Sequence, residues 1–258
     1  MKTKRHAATG RARALWDALL ATVTRRERSE LAVLIAALVV IVLALAFLQL
    51  ASEVFEGDTR AFDERLLRAL RQPDDPALPI GPAWLRSGAL DMTALGSATI
   101  LGLTVVAVTG YLLLNGLYRT GLFILIASSG GWVLNWALKN AFDRTRPDIV
   151  PHLREVASSS FPSGHALTSA AVFLTLGALL MRLAERPVAK FYCIAVAMLA
   201  TFGVGASRVF LGVHYPSDVL AGWLIGLSWA LFCWIVERTL ERRAGLKREQ
   251  REHQQARS

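Results

Sequence analysis

Three short motifs in the second half of the chain carry residue types that suit phosphoryl transfer. They read K-x6-R-P from Lys139 to Pro147, P-S-G-H from Pro162 to His165, and S-R-x5-H-x3-D from Ser207 to Asp218. A phosphoryl group in transit spreads negative charge over its oxygens, and stabilising that charge is most of the catalytic task. Three cations, two histidines and a carboxylate four residues from a histidine therefore indicate phosphate chemistry.

The predicted phosphate-binding groups are cations and a helix start. They are Lys139, Arg146, Ser163, Gly164 and Arg208. An arginine holds phosphate through two parallel N–H groups. The motif P-S-G-H is expected to open a helix, whose free N–H groups and dipole favour an anion.

The two histidines are predicted to have different roles. Asp218 follows His214 by four residues, so its carboxylate reaches back to one imidazole nitrogen and leaves the other nitrogen free to attack. His214 is therefore the predicted nucleophile, and a phosphohistidine is the predicted intermediate. His165 has no acidic partner nearby in the sequence, and it suits the general acid and then the base that activates water.

The setting of these motifs is apolar. The 258 residues are 53% hydrophobic and 19% charged, which is more apolar than ordinary soluble domains. About 20 mostly apolar residues are needed to cross a bilayer. We predict an all-α, six-transmembrane-helix bundle with spans at 31–50, 94–114, 121–138, 166–181, 191–206 and 219–236, the fifth of them the weakest.

The basic residues predict the orientation of the bundle. Of 29 lysines and arginines, 19 fall in the segment before the first span, the tail after the sixth, and two links on the same side. Because basic loops stay in the cytoplasm, a basic N-terminal segment (1–30) and a basic tail (237–258) are expected there, on either side of a membrane domain (31–236). All three motifs then lie at the outer, periplasmic interface of a bacterial inner membrane.

The outer segment 51–93 is the only long extramembrane stretch between spans. Within it, residues 59–72 place Phe62, Leu66, Ala69 and Leu70 at helical spacing. We expect an amphipathic helix capped by Asp58, lying on the membrane surface and covering helix ends rather than shaping a path for lipid.

Charge and cysteine content exclude other classes. The net charge of +9 comes mainly from the two tails, which fits membrane topology and anionic headgroups better than nucleic-acid binding. Cys193 and Cys233 lie in apolar runs and are expected to be free thiols, neither bridged nor bound to metal.

The three motifs together resemble those of the type 2 phosphatidic acid phosphatase superfamily, which also contains vanadium haloperoxidases. Every signature position of the family is filled in this chain. The resemblance implies an integral-membrane lipid phosphatase that works without metal or other cofactor, with His214 as nucleophile. Its substrate would be phosphatidic acid, phosphatidylglycerol phosphate, a lipid A phosphate, or undecaprenyl diphosphate, which an outward-facing site favours.

The same residues are also compatible with two other functions. A phosphotransferase would use the same residues, with another hydroxyl in place of water. A transporter or scramblase could bind headgroups with the same cations, although binding alone needs no oriented histidine. Neighbouring side chains carry weaker expectations: Arg144 is expected in a solvated loop, and Asn135 at a helix end. The sequence predicts no oligomeric state.

Overall fold

The chain folds into helices, as predicted. The computed structural model describes residues 30–148, 150–151 and 159–255, with side chains except over 246–254, and most of the predicted basic N-terminal segment lies outside these ranges. The helices are α1 Glu30–Glu56, α2 Arg60–Ala69, α3 Ala83–Leu95, α4 Ala98–Leu114, α5 Tyr118–Ala141, α6 Gly164–Leu183, α7 Pro187–Phe210 and α8 Pro216–Gln255.

Membrane-spanning length and apolar character are found in five single helices and one bent pair. The single helices are α1, α5, α6, α7 and the first part of α8, over Pro216–Gly245, and the pair is α3 with α4. The described part of the chain thus holds up to six spans, and these contain or overlap the six predicted ranges. The fifth predicted span, α7, is a full 24 residues long.

The second predicted span is broken, a feature that hydropathy does not predict. It bends by 50° between α3 and α4. Ser97 caps α4 by accepting a hydrogen bond from the Ile100 N–H at 3.3 Å, so a new helix begins there. The outer part of this span comes from α3, whose residues were expected in the extramembrane segment.

The centre of the bundle is α6, which packs most extensively against α7 and α8 and then α5. Small residues allow the close approach of these helices. A Cβ on Gly226 of α8 would lie 2.5 Å from the Ala170 Cβ and 2.6 Å from the Leu167 carbonyl oxygen of α6. The starts of α6 and α8 are therefore held next to each other, at the end of the bundle where the motifs lie.

The amphipathic helix predicted in the outer segment is present as α2, but its predicted cap is wrong. Thr59 occupies the N-cap position, with no side-chain hydrogen bond to the helix, and Asp58 lies outside it. Phe62 is 63% exposed, while Asp63 and Leu67 are buried. The buried face includes an acid because α2 packs on the start of α8 through polar contacts as well as apolar ones.

Candidate active site

The three motifs meet around one cavity of about 190 Å³ at the end of the bundle where α5 and α7 end and α6 and α8 begin. The cavity is lined by Gly96, Ala98, Trp132, Asn135, Lys139, Arg146, Gly164, His165, Thr168, Arg208 and His214. Because α5 and α7 end where α6 and α8 begin, motifs far apart in the sequence share one site.

His214 and Asp218 form the predicted pair. The loop between α7 and α8 carries His214, and Asp218 stands in the first turn of α8, so its carboxylate lies next to the Nδ1 atom of the ring. The His214 Nδ1 and Asp218 Oδ2 atoms are 3.4 Å apart, and both side chains are buried. The backbone N–H of Tyr215 also donates to Asp218 Oδ2, at 2.9 Å.

Arg146 determines which nitrogen of His214 carries the proton. Its Nη1 lies 3.1 Å from His214 Nε2 and 2.6 Å from the Val213 carbonyl oxygen, to which it donates. A guanidinium has only donors, so Nε2 must be the acceptor and the ring proton must be on Nδ1. The nitrogen facing the cavity therefore has the lone pair that a nucleophile requires.

Burial lowers the pKa of His214 to about 4. Desolvation is the main cause; Asp218 opposes it, while the positive charges of Arg146 and Arg208 add to it. A pKa below the usual value of about 6.5 keeps the imidazole neutral at physiological pH. The electrostatic setting is thus consistent with attack by a neutral ring.

The predicted cations surround the cavity from three directions. Lys139 donates from Nζ to the Ser159 carbonyl oxygen at 2.9 Å, and Arg208 donates from Nη1 to Thr93 Oγ1 of α3 at 2.9 Å. The broken second span thereby reaches the site. Desolvation lowers the pKa of Arg146 from its ordinary value, but an arginine remains charged. Three positive charges in one cavity suit a phosphate group.

At the start of α6 the three predicted residues separate into different roles. Gly164 and His165 line the cavity, and a Cβ on Gly164 would lie 2.9 Å from Asn135 Oδ1 and 3.2 Å from Lys139 Cε. Ser163 does not line it: its N–H donates to the Asp218 carbonyl oxygen at 2.9 Å. Its backbone therefore ties α6 to α8, and its role in phosphate binding stays a prediction.

Arg144 was wrongly expected in a solvated loop. Its Nη1 donates to Asp218 Oδ1 at 2.6 Å, and its Nη2 donates to Asp63 Oδ2 at 3.0 Å. The guanidinium lies 4.4 Å from the centre of the Tyr215 ring. This loop position is largely buried because α2 covers it.

Sequence reasoning missed three further polar residues. Ser160 is buried and donates from its hydroxyl to Asp218 Oδ2. Asp63, a residue of α2, is fully buried. Asn135, which was assigned to a helix end, lines the cavity. Only Asn135 had a usable sequence cue, since it precedes Lys139 by four residues on one helix face. Within the described ranges, no three of His, Cys, Asp and Glu lie together as a metal site.

A family comparison places the site in a known context. The model of the PAP2 superfamily matches residues 118–242, which contain all three motifs. Phosphatidylglycerophosphatase B of Bacillus subtilis is 32% identical over 192 residues, covering 72% of this chain and 88% of the relative. The Lipid A 1-phosphatase of Rhizobium johnstonii is 36% identical over 124 residues, covering 45% of this chain and 46% of the relative.

A solved structure has the same arrangement of helices. It is the transmembrane PAP2 type phosphatidylglycerolphosphate phosphatase from Bacillus subtilis, with a TM-score of 0.69 and 28% sequence identity. The match covers 78% of this chain and 96% of the solved chain. The similarity therefore extends over nearly the whole of the solved chain.

Proposed function

This chain belongs to the PAP2 superfamily of membrane phosphatases, and we propose that it removes phosphate from a membrane lipid through a phosphohistidine formed on His214. It is a multi-pass membrane protein and a phosphoric ester hydrolase by family. The observation that carries the proposal is the state of His214: Nδ1 faces Asp218, and the unprotonated Nε2 faces Arg146 at the cavity.

The first half of the reaction transfers the phosphoryl group to the enzyme. The phosphate enters among Lys139, Arg146 and Arg208, and Arg146 moves its donor from Nε2 to a phosphate oxygen. The Nε2 lone pair forms a bond to phosphorus while the bond from phosphorus to the leaving oxygen breaks. His165 gives its proton to that oxygen, and Asp218 stabilises the positive imidazole ring.

The second half releases phosphate. His165, now neutral, takes a proton from water, whose oxygen attacks phosphorus as the bond to Nε2 breaks. Inorganic phosphate leaves, and His214 returns to its neutral form with the proton still on Nδ1. The three cations hold the phosphoryl oxygens in both halves, as charge stabilisation in phosphoryl transfer requires.

The proposed substrate is a phosphate monoester or diphosphate whose lipid tail stays in the bilayer. A relative matched over 192 residues is named phosphatidylglycerophosphatase B, so phosphatidylglycerol phosphate ranks first, ahead of phosphatidic acid and the undecaprenyl diphosphate favoured by topology alone. The exposed apolar surfaces of the helices keep the tail of such a substrate beside the site. We further propose a periplasmic site, with both termini in the cytoplasm.

The test is release of inorganic phosphate by the detergent-purified protein from these three lipids, with chelator present. We expect turnover of at least one lipid, and its loss by at least about 1,000-fold in His214→Ala, because no other group replaces the nucleophile. His253→Ala, the same substitution near the far end of α8, is the matched control and should remain active.

Full activity in His214→Ala would overturn the proposal. Phosphate appearing on an added alcohol, with little release to water, would show transfer rather than hydrolysis. Activity that disappears with chelator and returns with a divalent cation would contradict the metal-free mechanism.

A further inference from the structure

A buried acid from outside the motifs reaches the catalytic end of α8. Asp63 of α2 accepts hydrogen bonds from the Ser217 N–H at 3.0 Å and from the Ser217 hydroxyl at 2.5 Å. Its side chain is fully buried, and Ser217 is adjacent to Asp218. An uncompensated buried carboxylate is costly, so the presence of Asp63 beside Asp218 calls for a physical explanation.

Arg144 forms ion pairs with both Asp63 and Asp218. One arm of its guanidinium pairs with Asp63 Oδ2 at 3.0 Å, and the other pairs with Asp218 Oδ1 at 2.6 Å. The backbone of Arg144 is also fixed, because its carbonyl oxygen accepts from the Ser160 N–H at 2.8 Å. Ser160 in turn donates its hydroxyl to the other oxygen of Asp218. The two acids therefore share one cation.

The charges of this group match the needs of the reaction. Two carboxylates and one guanidinium sum to −1 next to His214. When the phosphoryl group bonds to Nε2, the ring keeps its Nδ1 proton and becomes positive, and a buried positive charge needs a negative partner. With Arg144 alone, the charge of Asp218 would be neutralised, and no net negative charge would remain to balance the positive ring of His214. Asp63 restores the missing negative charge.

We propose that Asp63 and Arg144 are positioning residues that hold Asp218 and set the net charge of the buried group facing His214. This inference rests on the proposed role of His214 as nucleophile. Neither residue is among those that line the cavity, so both act through Asp218. Their loss should lower kcat and leave KM nearly unchanged, since substrate contacts stay in place.

The experiment compares Asp63→Asn, Arg144→Gln and the double variant, using the lipid on which the wild-type protein is most active. Asp63→Asn brings the group to zero charge, and Arg144→Gln brings it to −2. We expect each to lower kcat by about 10- to 100-fold, the scale of coupling within one hydrogen-bonded network. The double variant returns the group to −1, so its kcat should exceed that of either single variant.

Glu64→Gln is the matched control. It removes one negative charge from the neighbouring position of α2, where Glu64 pairs only with Arg60 and Arg68 among the described residues. Its kcat should equal that of the wild type. Thermal unfolding of every variant, measured in the same detergent, separates loss of fold from loss of rate.

Two results would overturn the inference. One is an Asp63→Asn variant as active as the wild type; the other is a double variant no faster than the slower single variant, as a purely structural role predicts. Either result, together with an inactive His214→Ala, would leave the proposed function intact. An active His214→Ala would instead remove the basis of both.

Discussion

At the residue scale, the chemistry depends on keeping one histidine neutral and oriented inside a group of charges. Burial drives the pKa of His214 down to about 4, and a donor from Arg146 fixes the proton on Nδ1. Nucleophilicity is thus prepared before substrate arrives. The cations that lower the pKa of the ring are the ones that a bound phosphate would neutralise, so phosphate binding makes the positive ring easier to form.

The motifs predicted which residues meet at the site, while the catalytic and binding roles of these residues stay predictions. A four-residue separation at a helix start brings His214 and Asp218 together whatever the rest of the fold does. Phosphate binding by Ser163 stays a prediction, and its backbone N–H donates to the Asp218 carbonyl oxygen. Arg144, Asp63 and Ser160 depend on contacts between segments 58 to 154 residues apart, which no local pattern encodes.

At the scale of elements, the site requires α6 and α8 to start side by side. Glycine permits this approach, since Gly226 faces the Leu167 carbonyl oxygen and Ala170 of α6 without room for a side chain. Hydropathy predicted the presence of these helices, but it carries no information on how closely they pack.

Gly226→Ala should therefore destabilise the bundle. The added Cβ would lie 2.5 Å from the Ala170 Cβ, and overpacking costs about 1 to 3 kcal/mol. We expect a lower thermal unfolding midpoint in detergent. Gly110→Ala on α4 is the matched control, since a Cβ there meets nothing within 4 Å. Equal midpoints for the two variants would contradict this account of the packing.

Sequence patterns do not predict two features of the helices. The break between α3 and α4 depends on Ser97 acting as a cap, and hydropathy does not distinguish a capping serine from one inside a helix. The apolar face of α2 was predicted from its sequence spacing, but no such pattern predicts that Asp63 turns inward, where Ser217 and Arg144 donate hydrogen bonds to it.

At the scale of the whole molecule, the helix directions bring all three motifs to one end of the bundle. The opposite end carries ion pairs between Arg182 at the end of α6 and two acids of α8, Glu237 and Glu241, each at 2.5 Å. The asymmetric distribution of basic residues then favours an outward-facing site. The proposed orientation rests on this asymmetry of charge.

Labelling of single cysteines tests that orientation in intact bacterial cells expressing the protein. In a Cys193→Ser, Cys233→Ser background, Asp74→Cys in the α2–α3 link should react with a membrane-impermeant maleimide. Glu185→Cys in the α6–α7 link should react only after the cells are permeabilised. Both native positions are exposed, so access to reagent is set by the membrane. The reverse pattern would place the active site in the cytoplasm.

The central claim is the phosphohistidine on His214, and trapping it is the most direct test. Purified protein is mixed with a lipid substrate carrying labelled phosphate, quenched within a turnover under alkaline conditions, digested, and mapped by mass spectrometry. The account predicts an acid-labile, base-stable label on the peptide containing His214, and none in His214→Ala. Label on a different residue, or on His214→Ala as on the wild type, would contradict it.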